Sequence, residues 1–408
     1  MKTTFFRLAG VATFGSAAYY PIKVSNTDFY YQKTDENVKV LSRCSQHLNR
    51  YMPSLYLFPH GAFQALWNIY GAKDIHIPIQ YERDVLTMDD GGSVSIDWAY
   101  PPEDLKNPNQ NQTKVCMIFP GLSGSSDKGY IKSIVKHLSQ EKGYIVGVFH
   151  NRGVHTEYTS PKFADLTSNE EIEKVLIHMK KKFGDRQNVR YVGVGMSMGG
   201  NLMLRMAGIQ KDNFPLEAMV SFNNPFDIWL AINLMRGTPY EKFLARELRK
   251  NTIIRENPSD QEKEVFKQIQ EKFNLDFDKL KKVESWRDFD RELTMKIHLK
   301  FKSVAEYYYA ASCLYNVKDI KKHTLVIHSK DDPIIPIECC PVDECLANDK
   351  IIVGIVRKGG HVCYFQGING QKRWYPLVSG EYLDAVLSLK EDKQEESSGL
   401  TLNTPVAL

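Results

Sequence analysis

From Gly92 onward, short runs of β-branched and aromatic residues alternate with stretches of helical periodicity. That alternation is the strongest constraint on the fold of this chain. The runs fall at 115–119, 144–150, 189–195, 218–222, 324–328 and 351–356, and residues 94–98 alternate like a half-buried strand. Several runs are apolar throughout, as strands buried on both faces must be. Between them, 130–140 and 170–183 read as helices, the second apolar at Ile172, Val175, Leu176 and Met179. Strand–helix alternation predicts an α/β fold with a mostly parallel central sheet flanked by helices.

One interval breaks the pattern. Residues 224–319 carry no strand-like run, only charged helical sequence with aromatics such as Phe243, Phe266, Phe277 and Phe301. A structureless loop of that length does not suit a compact domain, so a helical cap insertion is expected there. The expected plan is an N-terminal extension over 1–90, an α/β domain over 91–390 and a polar, disordered tail over 391–408. Residues 8–20 are small and apolar behind Lys2 and Arg7, and include the Ala17-Ala18 pair. They are shorter than the roughly 20 residues that a membrane span needs. Three readings stand: a short interfacial anchor, a cleaved signal, or a segment packed on the core. The expected location is intracellular, associated with a membrane through this N-terminus.

The chain carries 53 Lys+Arg against 49 Asp+Glu, a net charge of +4, too small to argue for nucleic acid. With 42% hydrophobic and 25% charged residues, disordered, collagen-like and polytopic membrane classes are excluded. Seven cysteines without CxxC or Cys/His spacing give neither a disulfide framework nor a zinc site, and read as reduced thiols. The sequon at Asn111 carries no weight. No metal or cofactor is called for, and no feature fixes an oligomeric state.

The chemistry centres on Gly195-Met196-Ser197-Met198-Gly199, a G-x-S-x-G between a predicted strand and a predicted helix. A sharp strand-to-helix turn brings the two backbones together, so only small residues fit at Gly195 and Gly199. It projects the serine oxygen from the sheet edge toward the helix N-terminus. The structural alternative is a glycine-rich turn with no chemistry. A serine hydroxyl needs a base, and the base needs an orienting acid. In this topology the order is Ser, acid, His. A strand ending at His328 leads into Ser329-Lys330-Asp331-Asp332-Pro333, and another leads into Gly359-Gly360-His361. His361 is the candidate base and Asp332 its candidate partner, with Asp331 as rival. His150 and His155 follow another strand end and either line the site or are hydrogen-bonded elsewhere. The small-residue loop 119–126 offers backbone N–H groups for an oxyanion, with Leu122 and Met198 as candidate donors. It lacks a Walker Lys-Ser/Thr end and any G-x-G-x-x-G, so nucleotide binding finds no support.

Between about residues 51 and 389 these motifs resemble an α/β-hydrolase subgroup. It includes abhydrolase-domain-containing proteins one, two and three and the embryogenesis-associated-eight-like esterases. The resemblance is carried by Pro59-His60-Gly61-Ala62-Phe63-Gln64, Asp90-Gly91-Gly92, Asp97-Trp98 and Phe119–Gly124. It continues through Asn151-Arg152-Gly153, the Ser197 elbow, Asn224-Pro225-Phe226-Asp227 and Tyr307-Tyr308, and ends with Asp331-Asp332-Pro333 and Gly359-Gly360-His361. It implies the α/β-hydrolase fold and a serine carboxylester hydrolase acting on lipid esters, such as acylglycerols or phospholipids. Carried over, Ser197 is the nucleophile, Asp332 the acid and His361 the base. Relatives often bear an N-terminal membrane anchor, and the family also holds acyl-ester synthases that use an alcohol in place of water. A non-catalytic lipid-binding protein on the same fold is the alternative outside enzymology. A cap over the C-terminal sheet edge would cover the ligand site of such a fold. Trp229, Met235, Trp286, Met295 and Tyr308 then either enclose an acyl chain or form the cap's own core.

Overall fold

The computed structural model describes residues 27–54, 60–105, 112–184, 188–367 and 370–400. The 8–20 segment and the sequon Asn111 lie outside the described residues. A nine-stranded sheet runs in the order β1-β9-β8-β7-β6-β4-β5-β3-β2. Its strands are β1 (Asp28–Tyr30), β2 (Glu82–Thr87), β3 (Ser93–Ala99), β4 (Thr113–Phe119), β5 (Ile145–His150), β6 (Val189–Met196), β7 (Ala218–Phe222), β8 (His323–Ser329) and β9 (Ile351–Val356). From β5 through β4, β6, β7 and β8 to β9 all neighbours are parallel. β3 and β2 on one edge and β1 on the other are antiparallel additions.

Helices cover both faces: α1 (Asp35–Arg43), α2 (Gly61–Tyr70), α3 (Gly129–Val135), α4 (Asn169–Phe183), α5 (Met198–Gln210) and the C-terminal helix α10 (Tyr375–Leu400), with α6 to α9 in the cap. Alternate residues of one strand serve opposite faces. Val192, Val194, Ile118 and Val220 pack with Tyr382 and Val386 of α10, while Tyr191, Met117 and Met219 pack with Met203 and Leu204 of α5. Burial on both faces explains why these strands read as continuous apolar runs. In α4, Glu170 and Glu171 open the first turn and Lys180 to Lys182 close the last, each complementing the helix dipole.

Between β7 and β8 the chain leaves the sheet for α6 (Ile228–Met235), α7 (Pro239–Thr252), α8 (Asp260–Phe273) and α9 (Val304–Ala311). Side-chain caps start these helices, Ser259 accepting from Glu262 N–H and Thr238 from Glu241 N–H. The cap has an apolar cluster of its own around Ile253, Ile269, Leu280 and Phe289.

The sheet starts earlier than the change of texture at Gly92 suggests, because β1 and β2 lie within the expected extension 1–90. β2 reads Glu-Arg-Asp-Val-Leu-Thr and is half exposed. A charged edge strand guards against edge-to-edge pairing and carries no apolar run. Of the expected tail 391–408, residues 391–400 continue α10, and the rest lies outside the described residues. The Glu, Lys, Gln and Leu residues of 391–400 are good helix formers. Asp392 pairs with Lys39 at 2.8 Å and with Arg43 at 2.5 Å, tying the helix to α1.

Candidate active site

β4 lies between β5 and β6, so the chain reverses its winding direction there, and the crevice at the C-terminal ends of β4 and β6 is the switch point of the sheet. Ser197 stands between β6 and α5, with φ 51° and ψ −122°. A non-glycine residue at positive φ costs about 1–3 kcal/mol and persists only where its surroundings fix it. They do so here. A Cβ at Gly199 would collide with the carbonyls of Phe119 and Pro120, and one at Gly195 would sit 2.5 Å from Gly200 Cα. The Ser197 N–H donates to the Phe222 carbonyl at 2.8 Å.

His361 Nε2 lies 2.9 Å from Ser197 Oγ, and its Nδ1 lies 2.8 Å from Asp332 Oδ2. The Asp332 carboxylate also accepts the N–H groups of Ile334 and Ile335 at 2.8 and 2.9 Å and the Asn223 amide at 2.7 Å. Burial pushes this carboxyl up, yet the His361 charge and hydrogen bond, His328 and the Ile335 N–H together hold it below its ordinary value. An ionised carboxylate fixes the imidazole with Nδ1 protonated and leaves Nε2 as an acceptor toward the serine. Asp331, the rival, turns to the backbone N–H groups of Gly359 and Gly360 at 2.8 and 3.0 Å. Burial raises its carboxyl above the ordinary value.

The loop bearing His361 is strained, with Val362 at φ 52° and Tyr364 at φ 45°. A β-branched residue in this region is a true outlier. Sequence reasoning passed over two of the groups that hold it. Asn223, just past β7, touches both this loop and Asp332. Its position immediately before Asn224-Pro225 was the available signal. The second group is α2, within the expected extension. Gly61 packs so closely that a Cβ would collide with the Asp331 carbonyl and lie 2.9 Å from Gly360 Cα. The buried Arg373 guanidinium pairs with Asp74 and donates to Asn68 Oδ1 of α2 at 2.6 Å and to the carbonyls of Val362 and Cys363 at 3.4 Å. An uncharged ten-residue run, Gly-Ala-Phe-Gln-Ala-Leu-Trp-Asn-Ile-Tyr, was the signal for α2.

Ser197 and His361 open on a cavity of about 500 Å³. Its walls are largely apolar, with Leu66 and Ile69 from α2, Ile232 and Met235 from α6, and Leu244 from α7. Gly121 and Leu122 of the 119–126 loop and Met198 of α5 border the same space. As the first residue of its helix, Met198 has no intrahelical partner for its N–H. The aromatic and Met residues weighed for the cap divide. Met235 and Trp286 line the cavity. Tyr308 is buried and donates to Asp290 Oδ2 at 2.7 Å, Met295 packs in the cap, and Trp229 is partly exposed beneath the Arg287 guanidinium. Cap packing claims those three, with Asp290 the partner of Tyr308 and Arg287 that of Trp229.

His150 and His155 lie outside the cavity lining, beside Asp97. Among the described residues, Asp97, His150 and His155 form the one group whose ligand atoms lie within 4.8 Å of one another. Those atoms are already committed. Asp97 accepts two bonds from Arg83 at 2.6 and 2.7 Å and one from Ser126 Oγ at 2.5 Å. His150 Nε2 accepts the Ser126 N–H at 3.0 Å, and His155 Nε2 lies 2.9 Å from Asp127. A metal would have to displace the Arg83 pair, so the group does not fit one. Burial drives the His150 imidazole to its neutral form. Its acceptor bond fixes the loop next to Leu122.

Residues 115–367 match the family described as alpha/beta hydrolase fold. The embryogenesis-associated protein EMB8 of Picea glauca is 30% identical over 320 residues, covering 76% of this chain and 67% of that protein. A monoacylglycerol lipase of Saccharomyces cerevisiae is 25% identical over 354 residues, covering 78% and 75%. The human phospholipase ABHD3 is 26% identical over 292 residues, covering 71% and 68%.

Proposed function

The chain belongs to the alpha/beta hydrolase fold family, and from that premise we propose that it is a serine carboxylester hydrolase acting on lipid esters. The observation that carries this reading is the hydrogen-bonded series Asp332–His361–Ser197 opening on an apolar cavity. Relatives named as a monoacylglycerol lipase and a phospholipase support the substrate class.

In the proposed reaction, His361 Nε2 takes the Ser197 proton as Oγ bonds to the ester carbonyl carbon. The N–H groups of Leu122 and Met198 stabilise the resulting oxyanion. Collapse breaks the bond to the alcohol oxygen, which leaves with the proton from His361. Water, deprotonated by His361, then attacks the acyl-enzyme and releases the acid and free Ser197. The acyl chain occupies the cavity under the cap, where its burial contributes about 0.8 kcal/mol per methylene.

We further assign α2 to contact with a lipid surface. Phe63, Leu66, Ile69 and Tyr70 are 53, 53, 56 and 85% exposed on a helix without a charge, while Leu66 and Ile69 also border the cavity. Isolated exposed apolar residues are ordinary, but a cluster at a cavity mouth marks an interaction site. Among the described residues no helix is long and apolar enough to cross a membrane.

One experiment tests these assignments. One portion of purified protein is treated with a fluorophosphonate, and an untreated portion is assayed on a water-soluble short-chain ester and on monoacylglycerol in phosphatidylcholine vesicles. Labelling and turnover of both esters are expected, and both vanish in Ser197→Ala with melting temperature nearly unchanged. Phe63→Ser with Tyr70→Ser should lower the vesicle rate several-fold while sparing the soluble ester. A folded wild type that neither labels nor turns over ester rejects the enzyme; equal loss on both substrates rejects the lipid-surface role of α2.

A further inference from the structure

Asn223 stands at the end of β7 with no solvent exposure and φ 46°. Its Nδ2 donates to Asp332 Oδ2 at 2.7 Å and to the Gly360 carbonyl at 3.3 Å. Its Oδ1 accepts the Val362 N–H at 3.2 Å and the Tyr364 hydroxyl at 2.7 Å. The Asn223 N–H donates to the Ile327 carbonyl of β8 at 2.9 Å, fixing the side chain's origin. One amide therefore binds the carboxylate that orients His361 and, on either side of His361, the backbone of the loop that carries it. Both strained residues of that loop, Val362 and Tyr364, are among its partners. A buried carboxylate needs only an N–H or O–H donor for this bond. Bonding the carboxylate and the strained loop together requires a group with a donor and an acceptor on one rigid plane, which an amide supplies.

We propose that Asn223 is a positioning residue that keeps Asp332 and the His361 loop in register, so that it governs the acyl-transfer step and not substrate binding. The inference rests on the catalytic reading of Ser197, His361 and Asp332. Asn223 does not line the cavity, so it has no route to the substrate except through those groups. Asn223→Asp is the sharpest variant. It has the same shape and keeps an oxygen for Val362 and Tyr364, but replaces the donor facing Asp332 with a second carboxyl. Two carboxylates sharing one site cannot both ionise freely, so the pair either holds one proton and misdirects the Asp332 oxygen that faces His361, or carries a second charge that favours the protonated imidazole. In the second case protonated His361 cannot accept the serine proton; in either case the bond that aligns Asp332 is lost and kcat falls. The other titratable groups around Asp332 are His328 on β8, Asp331 in the same loop, Tyr240 from the cap, Cys339 beyond β8, and Cys363 and Tyr364 in the His361 loop. All of them are present in wild type and variant alike.

The test measures kcat and KM for a soluble p-nitrophenyl ester from pH 5 to 9, with fluorophosphonate labelling rates and thermal melts. For Asn223→Asp, kcat is expected to fall about 10–100-fold, as on loss of an outer-shell orienting bond. KM stays within about twofold, and any displacement of the acid limb is toward higher pH. Asn223→Ala should lose a similar factor in kcat without displacement of the limb. A kcat within about twofold of wild type in both Asn223→Asp and Asn223→Ala overturns the inference, as does a KM that rises as much as kcat falls. Unfolding of Asn223→Asp at both pH 5 and pH 8 assigns the residue to folding and overturns it as well. If the wild type itself resists the fluorophosphonate, the catalytic reading fails and takes this inference with it. A reactive wild type with an Asn223→Asp of unchanged kcat and labelling rate rejects this inference alone.

Discussion

Two groupings of serine, histidine and aspartate lie near the same end of the sheet, and they differ in the order of contact. Around Ser197, the aspartate holds the histidine and the histidine reaches the serine, at 2.8 and 2.9 Å. Around Ser126, the aspartate bonds the serine hydroxyl directly at 2.5 Å, while His150 stands 4.0 Å from that carboxylate and accepts a backbone N–H. The first arrangement has a continuous path from the hydroxyl through imidazole to carboxylate, and its histidine meets the cavity. The second has no such path, and His150 is fully buried. Chemistry follows from contact order and access, and the same three side chains otherwise make a brace for the 119–126 loop.

The widest separation between the groupings is expected from their aspartates. Asp332→Asn should cost roughly 10⁴-fold in kcat, because the amide favours the wrong imidazole tautomer, with little loss of stability. Asp97→Asn should do the reverse. Breaking a sealed ion pair costs about 3–5 kcal/mol. Arg83 is partly exposed and screened by water, so about 2 kcal/mol is expected here. Turnover should stay within about tenfold of wild type. Paired kinetics and urea melts check both halves; a 10⁴-fold rate loss in Asp97→Asn would erase the distinction.

Asp331 tests the same contrast at closer range. Its carboxylate supports Gly359 and Gly360 and does not touch the imidazole, so Asp331→Asn should keep kcat within about tenfold. A loss equal to that of Asp332→Asn in the same assay would reassign the acid. Adjacent carboxylates also mark where reading the sequence stops. The end of β8 places both at the sheet edge, but which one turns inward depends on N–H groups of Ile334 and Ile335 and on Asn223, which is 109 positions from Asp332. The parallel strands were legible because burial on both faces writes a continuous apolar run. β2 was not, since an edge strand shows charge to water. The elbow was legible because Gly195 and Gly199 meet a steric demand local to five residues. The role of α2 was hidden, because its contacts with Asp331, Gly360 and Arg373 join segments about 300 residues apart.

The smallest expected effect comes from His150, and it is a matter of pH. Burial lowers its folded value beneath the ordinary 6.5, with Asp97 opposing and His155 and Arg83 assisting the shift. At pH 8 both folded and unfolded chains hold this imidazole neutral, so it contributes no slope. Below about 6.5 the unfolded chain binds a proton that the folded chain refuses, and the unfolded state gains. Stability from this residue therefore falls as pH falls, until the folded value is reached. One proton of difference corresponds to about 1.4 kcal/mol per pH unit. His137, His298 and His328 are also lowered chiefly by burial, so the wild-type slope sums several residues. The difference between wild type and His150→Gln isolates one of them. Glutamine retains an acceptor for the Ser126 N–H, so the variant should fold, somewhat weakened at pH 8. Between pH 6.5 and 5.5 its unfolding free energy should decline by about 1 kcal/mol less than that of wild type. Urea melts at the two pH values measure this directly. Equal declines would mean that His150 takes up a proton in the folded protein, and the sealed brace would then be open to water like the Ser197 site.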